Sequence, residues 1–427
     1  MTARTLDPAV AARIVAAVNA GFDQQLQFTA DLVAQPSVRA KEQSAQDLLY
    51  TAMGERGLSM DRWQIDPAQI DSHKGGSPIA ISYDDVTNVV GTYEPATHTG
   101  QSLILNGHVD VVPTGPEDNW ARSPWDAQII DGWMYGRGSG DMKAGLVANL
   151  FAFDAIRAAG FAPTAPIYLQ SVVEEECTGN GSLSALLRGY TADAVIIPEP
   201  EENMLVRANV GVIWFQVRVE GRPGHPREMD TGVNAIDEVT ALMSNLRVLE
   251  GEWNAKQGEH PYFEGVHNPI NFNFGQIHGG DWPSSVPSWC EVQVRAGFYP
   301  GISAEDAWTE LQQCLQQSEA SRRGVTYLVQ RTGFFAEGYV LAEGSSAEAT
   351  LATAHEQAFG SELKSFVTPG YLDGRVFSLY GGIPALVYGP ISENIHAFDE
   401  RVYVESVRQV TTAIALFIAA WCGVEPV

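Results

Sequence analysis

The sequence predicts an α/β protein in which a mixed sheet flanked by helices is interrupted by a smaller α+β unit of ferredoxin-like order. Three observations carry this expectation. Short, near-continuous apolar runs alternate with helical stretches, as strands covered on both faces require. A middle stretch reads strand, helix, strand, strand, helix, strand. Acidic and histidine residues that look like partners in one site stand on both sides of that stretch. The expected organisation is therefore one domain in two parts, residues 1–206 and 333–427, interrupted by an insert at 207–332.

Element by element, helical periodicity runs from about Ala9 to Ala34, where Pro36 interrupts it, and returns in SAQDLLYTAMGERGLS up to Gly57. Strand-like apolar runs follow at Asn88 to Tyr93, Ser102 to Asn106, Ile167 to Val173 and Ala194 to Ile197. Between two of them, MKAGLVANLFAFDAIRAAG is a helix stopped by Gly160. From Arg207 the character changes. VGVIWFQVRVEG alternates in strand fashion, VNAIDEVTALMSNLRVLEGEW is helical, and INFNFGQIHGG and WCEVQVRAGFYPG are strands. A helix from about Ala304 to Arg322 and the strand TYLVQR complete the insert. The chain then returns through the helix SSAEATLATAHEQAFG, the strand PALVYGP and a last helix, VYVESVRQVTTAIALFIAAW.

With 427 residues, 45% of them hydrophobic, the chain can bury a large core and is long enough for two domains. A formal charge of -26, from 52 acidic against 26 basic residues, would repel a phosphate backbone or an anionic membrane, which argues against nucleic-acid partners. The acidic excess is spread along the chain, as on a soluble surface. Cys177, Cys290, Cys314 and Cys422 are widely separated and include no C-x-x-C pair, which fits a reduced compartment. MTARTLDPAVAARIVAAVN lacks the apolar core of a signal peptide, and TTAIALFIAAWCGV is too short to span a bilayer. The expectation is a cytoplasmic protein with no membrane segment.

The chemistry lies in residues that close the expected strands. His108 and Asp110, two positions apart in GHVDVV, share one face of a strand end, so the carboxylate can take the ring proton that a metal-bound imidazole hands on. Asp141 ends the glycine-rich GRGSGD before a helix. A helix cap and a phosphate cradle are competing readings, but neither G-x-x-x-x-G-K-S/T nor a strand-borne G-x-G-x-x-G is present. Asp141 also falls at the sheet edge where open α/β sheets place ligands. Glu174, Glu175 and Glu176 repel one another unless a cation is bound or a carboxyl is protonated, so a metal plus a general base would explain the triplet. Glu199 stands between two prolines after another apolar run, and His396 adds a second imidazole. Two nitrogen and several oxygen ligands suit zinc, with manganese or cobalt as alternatives.

This ordered series resembles the co-catalytic metallopeptidase superfamily of acetylornithine deacetylase, succinyl-diaminopimelate desuccinylase, aminoacylase and glutamate carboxypeptidase. The resemblance covers nearly the whole chain. It implies a zinc-exopeptidase-like catalytic domain with an inserted dimerisation or lid domain, one or two divalent metals per subunit, and a homodimer formed through the insert. His108 would bind one metal and Asp110 would orient it; Asp141 would bridge the two metals. Glu175 would be the general base, Glu176 a ligand, Glu199 a ligand of the metal shared with His108, and His396 a ligand of the other. A one-residue shift of the triplet would make Glu174 the base instead. GRPGHPREMDTGVNAID resembles the family's G-x-x-x-H segment, which implies that His225 reaches the partner subunit's site and stabilises an oxyanion. Arg375 in YLDGRVF matches the D-G-R pattern of the deacetylase branch and would grip a substrate carboxylate; a salt bridge is the plainer reading. Ser284 stands where relatives carry an asparagine, and Trp282 and Phe398 neighbour motif positions, where they would line an aromatic-friendly pocket or pack in the core.

The implied activity is metal-dependent hydrolysis of a C–N amide bond in a small carboxylate-bearing substrate, foremost an N-acyl amino acid. A dipeptidase or carboxypeptidase, and an aromatic amine aminohydrolase of nitroanthranilate type, are the alternatives within that chemistry. A non-catalytic ligand-binding relative would have lost a ligand or the base, and none of these residues is missing.

Overall fold

The computed structural model describes residues 5–96, 98–318 and 325–427. Helix α1 (Pro8–Val33) starts with proline in its first turn, and the Asp7 side chain accepts a hydrogen bond from the Ala9 N–H. There follow α2 (Gln43–Glu55), β1 (Ser59–Gln64), β2 (Thr87–Tyr93), β3 (Leu103–His108), α3 (Ala144–Ala158), β4 (Ile167–Val172), α4 (Asn180–Leu187) and β5 (Ala194–Ile197). The middle of the chain supplies β6 (Gly211–Glu220), α5 (Ala235–Ala255), β7 (Phe272–Gly279), β8 (Trp289–Phe298), α6 (Ala304–Gln316) and β9 (Thr326–Ala336). The return adds α7 (Ser346–Phe359), β10 (Ala385–Val387) and α8 (Val404–Cys422).

Six strands form the first sheet in the order β1-β2-β4-β3-β5-β10. Strands β4, β3, β5 and β10 run parallel, whereas β2 is antiparallel to both of its neighbours. Strand β3 is buried from Leu103 to His108 and β5 from Ala194 to Ile197, which explains their uninterrupted apolar composition. Helix α8 packs against α3, α7 and α1, joining Ile414 and Phe417 to Phe153, Ile14 and Leu105 in one core. Because β4, β3 and β5 are adjacent and parallel, the segments leaving their C-terminal ends emerge side by side. Those segments carry Glu174 to Glu176, Asp110 and Glu199.

The second sheet has the antiparallel order β7-β8-β6-β9 and encloses its own core. Helix α5 buries Val239, Leu242, Leu246 and Leu249, a helical repeat of apolar positions. Helix α6 is capped by Ser303, whose side chain accepts from the Asp306 N–H, and sets Trp308 edge-on to Phe215 at 5.5 Å. The predicted βαββαβ order is thus present as structure. Helix α6 ends at Gln316 rather than Arg322; of the expected extension, residues 319–322 lie outside the described residues. Strand β9 continues past the TYLVQR stretch to Ala336.

Some elements had no clear signal in the sequence. Strand β1 is only partly buried, as an edge strand is, and its SMDRWQ lacks an apolar run. A small sheet joins Gln128–Ile130, Trp133–Tyr135, Ser392–Glu393 and Arg401–Tyr403, pieces of two or three residues that no periodicity can announce. It pins the loop that carries His396 beside the one that carries Asp141. Among the described residues no disulfide links the cysteines, and no helix is long and apolar enough to cross a membrane.

Candidate active site

His108 is the last residue of β3, its side chain wholly buried. Its Nδ1 lies 2.8 Å from the main-chain oxygen of Asp110 and 3.6 Å from that residue's Oδ1. A carbonyl can only accept, so Nδ1 holds a proton and Nε2 is the nitrogen that faces the cavity; against the effect of burial, the carboxylates of Glu199, Asp141 and Glu175 hold the ring well above its ordinary value, as a cation. The ring is therefore fixed through the Asp110 backbone more closely than through the expected carboxylate. The Asp110 side chain instead accepts from the Glu176 N–H at 3.2 Å, tying the two strand ends together.

Asp141 does not cap α3, whose N-terminal residue Lys143 makes no side-chain cap bond. Its carboxylate reaches both imidazoles: Oδ1 is 3.1 Å from His108 Nε2 and Oδ2 is 3.3 Å from His396 Nε2. The backbone behind it is held by Glu400, whose Oε1 accepts from Gly140 N at 2.9 Å and Asp141 N at 3.0 Å. With those N–H groups engaged by a carboxylate, the glycine-rich loop is no phosphate cradle. Arg137 pairs with Glu400 and donates to the Ala397 carbonyl at 3.1 Å, linking this loop to the one bearing His396. Gly145 and Gly389 allow close approach to the Glu199 loop: a Cβ at the former would meet Pro198 O at 1.9 Å, and at the latter Glu199 O at 2.0 Å.

The glutamate triplet is divided by geometry. Glu174, with φ of 67°, turns away and is held by Arg39 at 2.5 and 2.7 Å, Tyr83 at 2.7 Å and Thr178 at 3.0 Å. Its share of the expected repulsion is relieved by the Arg39 guanidinium rather than by a metal ion. Glu175 Oε2 lies 3.9 Å and Glu199 Oε2 3.7 Å from His108 Nε2, while Glu176 Oε2 is 3.1 Å from His396 Nε2. Two triads result, His108–Asp141–Glu199 and Asp141–Glu176–His396, each with its donor atoms within 4.8 Å of one another.

The electrostatics follow from packing carboxylates together. Burial pushes Glu199 up to about 7 and holds Glu175 well above the ordinary carboxylate range, in both cases against the pull of His108. Burial acts on Asp141 in the same sense, but the two imidazoles bring it below its usual value. Glu176 raises His396 to about 11 against the effect of burial. Oε1 of Glu176 and Oε1 of Glu199 are buried without a hydrogen-bond partner. Orphaned carboxylate oxygens beside imidazoles that a metal would deprotonate are the donor set that a divalent cation satisfies, so the residues present fit one or two such ions.

These groups form one end of a cavity of about 690 Å³ whose remaining walls come from the second sheet and nearby loops. Trp214, Phe334 and Tyr371 make an aromatic wall, with Trp214 edge-on to Phe334 at 5.1 Å and Phe334 against Tyr371 at 4.2 Å. Trp282, 68% exposed, and Phe398, packed edge-on to Trp120, are not part of this wall. Arg375 is also absent from the cavity. It is fully buried, with its guanidinium donating to Glu337 Oε2 at 3.2 Å, the Glu337 carbonyl at 3.1 Å and Tyr380 Oη at 2.8 Å. That is an internal ion pair, not a waiting anion grip. The cation in the cavity is Arg295 on β8, which donates to the Pro369 carbonyl at 2.9 Å and has no carboxylate partner among the described residues. Burial lowers it to about 10. Its signal in the sequence was modest: it shares a strand face with Glu291 and Gln293, alternating with the buried Val292 and Val294. His225 is exposed in a turn, its Nδ1 accepting from the Arg227 N–H at 3.2 Å, and does not line the cavity of its own chain.

Comparison with known proteins adds an independent line. The family described as Peptidase family M20/M25/M40 matches residues 104–420. The chain is 28% identical to an N-formyl-4-amino-5-aminomethyl-2-methylpyrimidine deformylase of Halalkalibacterium halodurans, over 96% of this chain and 97% of the relative. It is 26% identical to a succinyl-diaminopimelate desuccinylase of Dechloromonas aromatica, over 91% and 96%. Among solved structures, an M20 family metallo-carboxypeptidase of Sulfolobus solfataricus superposes with a TM-score of 0.72 at 16% identity, over 94% of this chain and 99% of that one, a likeness of fold.

Proposed function

The chain belongs to Peptidase family M20/M25/M40, and on that premise we propose that it is a metal-dependent hydrolase that cleaves the amide of an N-acylated, carboxylate-bearing small molecule. The observation that carries the reading is the pair of His–carboxylate triads joined at Asp141, with Glu175 beside them and outside both. Relatives named for removing formyl and succinyl groups support an N-acyl substrate over a peptide.

In this reading His108, Asp141 and Glu199 hold one cation, and Asp141, Glu176 and His396 hold the other. Zinc suits the donor set best, with manganese and cobalt as alternatives. Bound there, the cations supply Lewis acidity, which acidifies water and polarises the amide carbonyl. Glu175 supplies the base. Burial keeps its carboxyl's affinity for protons high, so it can take one from the attacking water and return it to the departing nitrogen. Arg295 takes over the role expected of Arg375 and binds the substrate carboxylate, while the aromatic wall excludes water around the amine portion. The residues 207–332 act as an inserted dimerisation and lid domain, and His225 of each subunit completes the partner's site in a homodimer.

The test is hydrolysis of a panel of N-formyl, N-acetyl and N-succinyl amines, dipeptides and aminobenzoates, before and after chelation. Chelator-sensitive release of a free acid and an amine is the expected result. Ammonia released from an aminobenzoate would replace it with aromatic amine hydrolysis, and inertness with every added metal would favour a ligand-binding protein.

A further inference from the structure

We propose that Glu201 is a specificity-determining residue that selects substrates bearing a cationic nitrogen in addition to the scissile amide. This rests on the reading of the cavity as an amide-hydrolase site. Glu201 lies two residues beyond Glu199 on a fixed piece of backbone: its N–H donates to Glu199 O at 2.8 Å, and Asn203 N donates to Gly389 O at 2.9 Å. Its side chain lines the same cavity as Asp141, Glu175 and Arg295.

The other acidic groups around the site have assigned partners. Glu174 is held by Arg39, Glu400 by Arg137, and Asp373 by Ser182 and Tyr371. Asp141, Glu176 and Glu199 belong to the triads. Among the described residues, Glu201 alone of this group has neither an ion pair nor a hydrogen bond to its carboxylate. Arg295 shares the cavity but forms no ion pair with it. A carboxylate on a cavity wall with no counter-charge from the protein is unfavourable until a ligand supplies one. The ring-bearing walls reinforce the choice of ligand, because Trp214 and Tyr371 line the same space and aromatic faces attract cations as well as apolar groups. The cavity thus offers three chemically distinct positions: the cluster for the amide, Arg295 for a carboxylate, and Glu201 for a positive nitrogen.

The experiment uses the full-length zinc-loaded protein and a matched pair, Nα-acetyl-lysine and the neutral Nα-acetyl-norleucine. The ratio of their kcat/KM values favours the lysine derivative by at least about tenfold, approaches unity in Glu201→Gln and reverses in Glu201→Lys. Calorimetric binding of the product amino acids, lysine against norleucine, follows the same order without requiring turnover. A wild-type enzyme indifferent to charge, or a ratio unmoved by Glu201→Gln, overturns the assignment. If neither amide is hydrolysed while lysine binds in a Glu201-dependent manner, the hydrolase reading falls and the assignment of Glu201 stands. If both amides are hydrolysed with equal efficiency, the hydrolase reading stands and the assignment falls.

Discussion

The two halves of the acid–imidazole cluster use the same donor types and share Asp141, yet they stand on different kinds of backbone. His108 closes a central strand, is wholly buried, and has its ring fixed by a main-chain carbonyl. His396 sits at a φ of 61° in a loop between strands of two and three residues, with 53% of its side chain exposed. One half is built into the core of the molecule and the other is brought to it. The difference implies that the buried half holds charge and geometry more rigidly, while the exposed half governs the entry of cations and ligands.

The largest effect expected from this contrast lies in the chemical step. Glu175 stands on the side of the buried half, 3.9 Å from His108 Nε2, and belongs to neither triad. Glu175→Gln should lower kcat by roughly 10²–10⁴-fold while metal content, measured by elemental analysis, stays at the wild-type level. Retained turnover would return the base to another residue, and lost metal would make Glu175 a ligand.

Stability of the metal-free protein separates the halves next. His108→Ala leaves Asp141, Glu175 and Glu199 without their buried cationic partner and should cost about 3–5 kcal/mol in denaturant unfolding. His396→Ala removes a solvent-screened partner and should cost about 1 kcal/mol or less. Equal losses would mean that exposure does not distinguish them.

A smaller effect probes what lies behind the buried half. Glu42 is buried there and adds to the forces that raise Asp110. Burial lifts its own carboxyl from 4.5 to about 7. The folded state therefore binds this proton more tightly than the unfolded chain does. The stability so gained is fully present below about 4.5 and is lost as the pH rises through about 7. Glu42→Gln removes that titration, so the variant should gain on the wild type by up to about 3 kcal/mol at pH 8, with the gain vanishing toward pH 4. A pH-independent difference would mean that Glu42 does not titrate in this window.

The same contrast explains how much could be read from the chain. The buried half was legible because its residues follow apolar runs: His108 ends one, Glu199 follows AVII, and Glu175 beside them follows LQSVV, a signal that Glu176 of the other half shares. His396 and Asp141 were recognisable as members of an ordered series, but the short strands and the Arg137–Glu400 pair that bring them together have no periodic signature. Between Glu174 and Glu175 the choice depended on Arg39, more than a hundred positions away in the chain, and no local pattern reveals such a partner. Arg375 was singled out and Arg295 was not, for a similar reason. The D-G-R pattern identifies an arginine, but only packing shows that Glu337 and Tyr380 occupy it while Arg295 faces the cavity.

The central claim, two cation sites of unequal rigidity joined at Asp141, is tested most directly by titrating zinc into the metal-free protein by calorimetry. Two binding events of different affinity should appear, with the weaker one abolished by His396→Ala and both disrupted by Asp141→Ala. A single event in the wild type, or loss of the tighter event in His396→Ala, would contradict it.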